Sequence, residues 1–194
     1  MTEWTRTLEV DGPARTQELA QRLGAQLRAG DLLVLTGELG AGKTTFTQGL
    51  ARGLGVERGV ISPTFVLVRR HRGGPGRPDL VHVDAYRLAS AAEVDDLDLE
   101  DTADASVTVV EWGAGKVEHL AGSRLEVVLE RAVGAGALGS PGADAGPAAP
   151  GTDGGASAPA PHAAGGPEDD DAPEPRRITL TGVGPRWAGG PPAL

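Results

Sequence analysis

Residues 31–55 read DLLVLTGELGAGKTTFTQGLARGLG, and their three parts decide the fold. The first part, DLLVLTG at 31–37, is an apolar run of strand type. The last, KTTFTQGLARGLG at 43–55, has helical spacing and a glycine stop at Gly55. Between them Gly37-Glu38-Leu39-Gly40-Ala41-Gly42-Lys43-Thr44 matches G-x-x-x-x-G-K-[ST] at every fixed position. In that pattern backbone N–H groups wrap phosphates, the lysine reaches the β and γ oxygens, and the hydroxyl holds Mg²⁺. The required context, a strand before the loop and a helix after it, is met, and the helix adds the partial positive charge of its N-terminus.

Working outward, strand and helix patterns alternate, which predicts an α/β domain: a P-loop NTPase-like mixed sheet flanked by helices. RTLEV (6–10), LVHVDAYRL (80–88) and SVTVVEWG (106–113) are expected strands. TQELAQRLGAQLR (16–28) is an expected helix, with Leu19, Leu23 and Leu27 on one face and Thr16 able to cap. An acidic helical or turn segment spans 90–103. HRGGPGRPD (71–79) separates FVLVRR from LVHVDAYRL as a hairpin connection. RLEVVLER (124–131) and RRITLTGVGPRW (176–187) are expected to pair as a C-terminal antiparallel hairpin.

The hairpin's loop, 132–175, holds 13 Ala, 10 Gly and 8 Pro in 44 residues, a composition that predicts a disordered insert. The expected organisation is a nucleotide-binding domain at 1–131, this insert, and at 176–194 the last strand and tail of the same domain. Loop closure grows by only about 0.6 kcal/mol per doubling of length, so a fold can carry the insertion. The insert also contains seven acids and no Lys or Arg, so most of the formal charge of −9 belongs to it. That charge argues against a broad basic surface that coats nucleic acid. With no cysteine in the chain, disulfides, thiolate zinc sites and cysteine nucleophiles are excluded. No signal-type or membrane-spanning apolar run is present, and a cytoplasmic protein is expected.

A phosphate loop needs a carboxylate for its metal, usually at the end of another buried strand. Glu111 follows four strand-type residues, and Asp84 lies within an apolar run. Either acid, if unpaired, would be costly there, so each calls for a metal, a hydrogen-bond network or a basic partner; Arg87 is a possible ion-pair partner of Asp84. SPTF (62–65) lies where switch segments tend to fall, and Thr64 is a candidate γ-phosphate or Mg²⁺ sensor, or part of an ordinary Ser-Pro turn. His82, Asp84 and Tyr86 share strand parity, hence one face, with His82 favoured as part of a buried network. Trp112 can pack over a nucleotide, in the core or at an interface. His71 and His119 carry no signal.

GELGAGKTTFTQGL, SPTF, DAYRL and VVEWG, in this order and spacing, resemble the TsaE family (older name YjeE) over residues 5–131 and again at 176–187. The family consists of small bacterial P-loop ATPases required for threonylcarbamoyl modification of adenosine in tRNA. The resemblance implies that Gly40, Ala41, Gly42, Lys43, Thr44 and Thr45 cradle the phosphates of ATP; the motif itself opens with Gly37, Glu38 and Leu39, and Trp112 stays a candidate nucleotide contact. It further implies Thr44 and Glu111 at Mg²⁺, Thr64 as the switch threonine and Asp84 as a catalytic or water-positioning acid. By the same resemblance the partners are the TsaD and TsaB proteins, with tRNA reached through them and ATP hydrolysis supporting their turnover. Two other readings fit a phosphate loop in a chain of this length: a small-molecule or nucleoside kinase, and a non-catalytic nucleotide-dependent binding module. The long insertion carries no arginine, unlike the lid that kinases usually add.

Overall fold

The computed structural model describes residues 3–57, 59–131 and 175–194. The expected insert lies outside the described residues except for Pro175, which opens the last strand. The elements run β1 (Glu3–Asp11), α1 (Gly12–Gly24), β2 (Leu32–Thr36), α2 (Lys43–Gly53), β3 (Val68–His71), β4 (Asp79–Asp84), α3 (Ala91–Asp95), α4 (Glu100–Ala103), β5 (Ser106–Glu111), β6 (Arg124–Arg131) and β7 (Pro175–Val183). The seven strands form one sheet in the order β1-β7-β6-β2-β5-β4-β3. The inner four, β6, β2, β5 and β4, are parallel, while β3 pairs antiparallel with β4, and β7 antiparallel with both β6 and β1.

Burial explains this division. Leu32 to Leu35 and all of Ser106–Glu111 are buried, as parallel strands covered on both faces require. In contrast, β1 and most of β6 and β7 alternate in burial, the pattern of strands with one solvated face. On one face Leu33, Leu35, Val107, Val109, Leu125 and Leu180 pack with Leu23 of α1 and Phe46 and Leu50 of α2. On the other, Leu32, Val34, Val81, Val83 and Val110 pack with Val94 and Leu99. The expected C-terminal hairpin is present, with Leu125 opposite Gly182 and Leu129 opposite Ile178.

Three local readings are corrected. α1 starts at Gly12 rather than Thr16, because Asp11-Gly12-Pro13 supplies a proline to the first turn. Thr16 is therefore internal and buried, its hydroxyl donating to the Gly12 carbonyl at 3.0 Å rather than capping. The segment FVLVRR becomes strand only at Val68, since Leu67 takes a left-handed φ of 63°. β4 ends at Asp84, so Tyr86 lies beyond the strand and is exposed, and does not share a strand face with His82 and Asp84.

The C-terminal segment is tied to the start of β2 by Arg186, whose Nε and Nη2 donate to buried Asp31 at 2.8 and 3.0 Å. Arg186→Ala is expected to cost about 2 kcal/mol, below the 3–5 kcal/mol of a fully buried pair because the arginine is part-exposed. The expected drop in Tm is about 4–8 °C on a domain of this size. An unchanged Tm would show that Asp31 is satisfied without the arginine.

Candidate functional site

The site forms where β2, β4 and β5 end together beside the N-terminus of α2. Strand β2 delivers the chain into residues 37–42, and Gly42, with φ 101°, makes the left-handed turn that starts α2 at Lys43. The first N–H groups of that helix have no intrahelical partner and face an incoming anion. A cleft of about 430 Å³ opens there, lined by Leu39, Gly40, Gly42, Lys43, Thr44, Thr45, Ser62, Thr64, Asp84, Tyr86, Glu111 and Trp112. Ala41 is buried behind it.

Lys43 is only 6% exposed. Its Nζ donates to the carbonyls of Gly37 at 2.7 Å and Glu38 at 2.8 Å and sits 3.8 Å from the centroid of the Trp112 ring. Burial pushes the ammonium below its ordinary pKa, and the carboxylates of Glu111 and Asp84 work against that shift. The ammonium is thus held close to the cleft by neutral carbonyls, groups that an anion can replace as partners. Trp112 follows β5 with φ 62°, its N–H donating to the Leu35 carbonyl at 2.9 Å, and Tyr86 tilts against it at 5.2 Å.

The two candidate acids are neighbours in register, Asp84 opposite Glu111, and both are nearly inaccessible. Their partners differ. Glu111 accepts from the Thr44 hydroxyl, at 3.1 Å on Oε1 and 3.2 Å on Oε2, and its Oε1 lies 2.8 Å from His82 Nε2. Asp84 Oδ2 accepts from Thr64 at 2.6 Å and Ser62 at 3.0 Å, while Oδ1 accepts from the Tyr86 N–H at 3.0 Å. Arg87 is not the partner of Asp84; its guanidinium lies 5.0 Å from the Phe65 ring.

Thr44 and Glu111 therefore present hard oxygens side by side, a donor set suited to Mg²⁺. Among the described residues no group of three or more His, Cys, Asp or Glu could cage a metal. Mg²⁺ does not need one, since it is commonly held by one or two carboxylates with substrate phosphates. Asp84 instead belongs to the 62–64 segment, from which its carboxylate takes both side-chain hydrogen bonds. The sequence reading missed Ser62 as a partner of Asp84 and Tyr86 as a lining residue. His71 ends β3 and is partly buried, with its pKa lowered by burial first and then by His82 and Arg69. His119 bonds Asp95 at 2.6 Å, away from the cleft lining.

The family model described as threonylcarbamoyl adenosine biosynthesis protein TsaE matches residues 10–135. The chain belongs to the TsaE family. A Streptomyces coelicolor relative named tRNA threonylcarbamoyladenosine biosynthesis protein TsaE is 46% identical over 173 residues, covering 89% of this chain and 93% of its own. Relatives of the same name from Mycobacterium bovis and Bacillus subtilis are 50% and 41% identical, over 60% and 62% of this chain and 73% and 74% of theirs. The crystal structure of Bacillus subtilis YdiB superposes with a TM-score of 0.61 at 27% identity, covering 96% of this chain and 91% of that one. Among the described residues of this TsaE family member, no helix is long and apolar enough to cross a membrane.

Proposed function

We propose that the protein binds ATP with Mg²⁺ in this cleft and hydrolyses it, serving threonylcarbamoyladenosine formation in tRNA by acting on a TsaD–TsaB partner complex. The observation that carries the reading is the convergence of Lys43, Thr44 and Glu111 on one cleft, faced by Thr64 and Asp84 from separate elements. Relatives named for that biosynthesis supply the pathway.

In this reading residues 37–45 receive the phosphates. Lys43 exchanges its two carbonyl partners for phosphate oxygens and carries its charge to them. When bound, Mg²⁺ neutralises charge on the phosphate oxygens, and Thr44 and Glu111 are the residues that would hold it. Asp84, held by Ser62, Thr64 and the Tyr86 N–H, orients the water that attacks the γ-phosphorus. The bond from that phosphorus to the β–γ bridging oxygen breaks, giving ADP and inorganic phosphate, and the water's proton leaves with the products. Thr64 links this acid to the 62–67 segment, whose turn is closed by the N–H groups of Val66 and Leu67 on the Pro63 carbonyl at 2.9 and 2.7 Å. A partner that moves the segment would act on Asp84 directly. Contact with tRNA is left to the partner complex, and the reaction to the cytoplasm.

The test is ATP turnover by the purified protein, alone and with the TsaD–TsaB pair from the same source, with Glu111→Gln as the blank. A low basal rate that rises about tenfold or more with the pair is expected, since partners often complete phosphate-loop sites. An unchanged rate with no complex formed would overturn the partner reading. Transfer of phosphate from ATP to a nucleoside or metabolite would favour a kinase instead.

A further inference from the structure

We propose that His82 is a positioning residue for Glu111, fixing the carboxylate so that it can serve the cation held with the nucleotide; this rests on the ATP–Mg²⁺ reading above. His82 is fully buried in the middle of β4. Register explains how it reaches Glu111: Asp84 lies opposite Glu111 on β5, so His82, two residues earlier on the same face, approaches it diagonally. That face also carries Leu80, Val107, Val109 and Leu35, and it packs under α2, which brings Thr44.

Three polar groups meet there. Oε1 of Glu111 is shared between His82 Nε2 at 2.8 Å and the Thr44 hydroxyl at 3.1 Å, whereas among the described residues Oε2 has the hydroxyl alone, at 3.2 Å. On the histidine, Nδ1 is buried and has no hydrogen-bond partner among the described residues. A carboxylate accepts and cannot donate, so Nε2 carries the hydrogen of this bond. This bond makes His82 a one-sided brace: it holds Oε1 and makes no hydrogen bond to Oε2, while Thr44 contacts both oxygens. Carboxylates that ligate metals are commonly oriented by such hydrogen bonds, and loss of the outer partner costs about 10- to 100-fold in metal affinity.

The brace is a matter of which atom donates, and this sets the experiment. Glutamine places an amide N–H₂ near the position of Nε2, whereas asparagine places it nearer Nδ1 and out of reach of Glu111. Binding of ADP is measured calorimetrically for the wild type, His82→Gln and His82→Asn, each with Mg²⁺ and with EDTA, alongside Tm. The expected result is a loss of about tenfold in affinity for His82→Asn in Mg²⁺, with the EDTA value unchanged within about twofold. His82→Gln should keep the magnesium-dependent gain within about threefold of the wild type. Equal losses in Mg²⁺ and EDTA, or the same behaviour from both variants, would mean that His82 only fills space and would overturn the positioning role alone. A wild-type protein that gains nothing from Mg²⁺ would overturn the ATP–Mg²⁺ reading, and the positioning role with it. If the asparagine variant unfolds, His82→Gln decides: a folded variant that loses the magnesium gain overturns the proposal.

Discussion

Glu111→Gln is expected to lower magnesium-dependent ATP turnover by about a thousandfold while leaving the fold nearly untouched. The substitution is isosteric, and the amide oxygen can still accept from His82 and from Thr44, whose hydroxyl now reaches Glu111 at 3.1 and 3.2 Å. What disappears is the negative charge beside Thr44. A bound Mg²⁺ supplies several kcal/mol of stabilisation to developing phosphate charge, and loss of about 4 kcal/mol of it corresponds to a factor of about 10³ in rate. Tm should stay within a few degrees, because the amide keeps the hydrogen bonds to Thr44 and His82 and removes a buried charge whose desolvation offsets much of its attraction to Lys43. Nucleotide affinity in EDTA should be unchanged, whereas the gain from Mg²⁺ should shrink. Turnover within tenfold of wild type would remove Glu111 from the metal's coordination and leave Asp84 as the alternative.

The contrast between the two acids shows what the sequence could and could not disclose. Loop, strand β2 and helix α2 are contiguous, and local spacing carried them: an apolar run, a fixed glycine-lysine pattern and a 3.6-residue period. Glu111 and Asp84 look alike in sequence because one follows an apolar run directly and the other lies within one. Their difference comes from contacts made across the fold. Thr44 is 67 residues from Glu111, and Thr64 and Ser62 are 20 and 22 residues from Asp84. Strand order decides these contacts, since β5 lies between β2 and β4 and is thereby placed next to the loop.

The errors have similar causes. Strand alternation places Tyr86 with His82 and Asp84, but the chain turns after Asp84, the Leu88 N–H closing on the Ala85 carbonyl at 3.1 Å, so the strand ends four residues short of the expected Leu88. Arg87 was a natural partner for Asp84 by proximity in sequence, yet two hydroxyls and a backbone N–H already satisfy that carboxylate. The pairing of Lys43 with Trp112 was equally out of reach, because it depends on a left-handed residue just after β5. A left-handed φ at a residue of this bulk has no signature in the sequence and marks a site where tertiary structure overrides local preference.

Gly49→Val is expected to lower Tm by about 6–12 °C, corresponding to about 3 kcal/mol or more of overpacking strain. Helical glycines usually weaken a helix by about 1 kcal/mol relative to alanine, so propensity alone predicts a gain on substitution. Packing reverses the sign. A Cβ at Gly49 would meet the Gln17 carbonyl oxygen, the Ala20 Cβ at 2.6 Å and the Gln17 Cα at 2.9 Å, mostly backbone of α1 that cannot swing aside. Gly24 and Gly53 make the same approach, against the backbone of Leu50 and of Gln21, so the two helices touch through glycine at three levels. A side chain at the Gly49 level, the one nearest the start of α2, must push α2 away from α1. Because α2 begins at Lys43 and holds Thr44 against Glu111, the push is transmitted to the cleft. Gly49→Ala should show the smaller effect with the same sign, and in both variants the magnesium-dependent gain in nucleotide affinity should fall together with Tm. Thermal unfolding decides the matter: a Gly49→Ala protein more stable than wild type would mean that helix propensity outweighs contact and that α1 and α2 are not in the close approach that positions the loop.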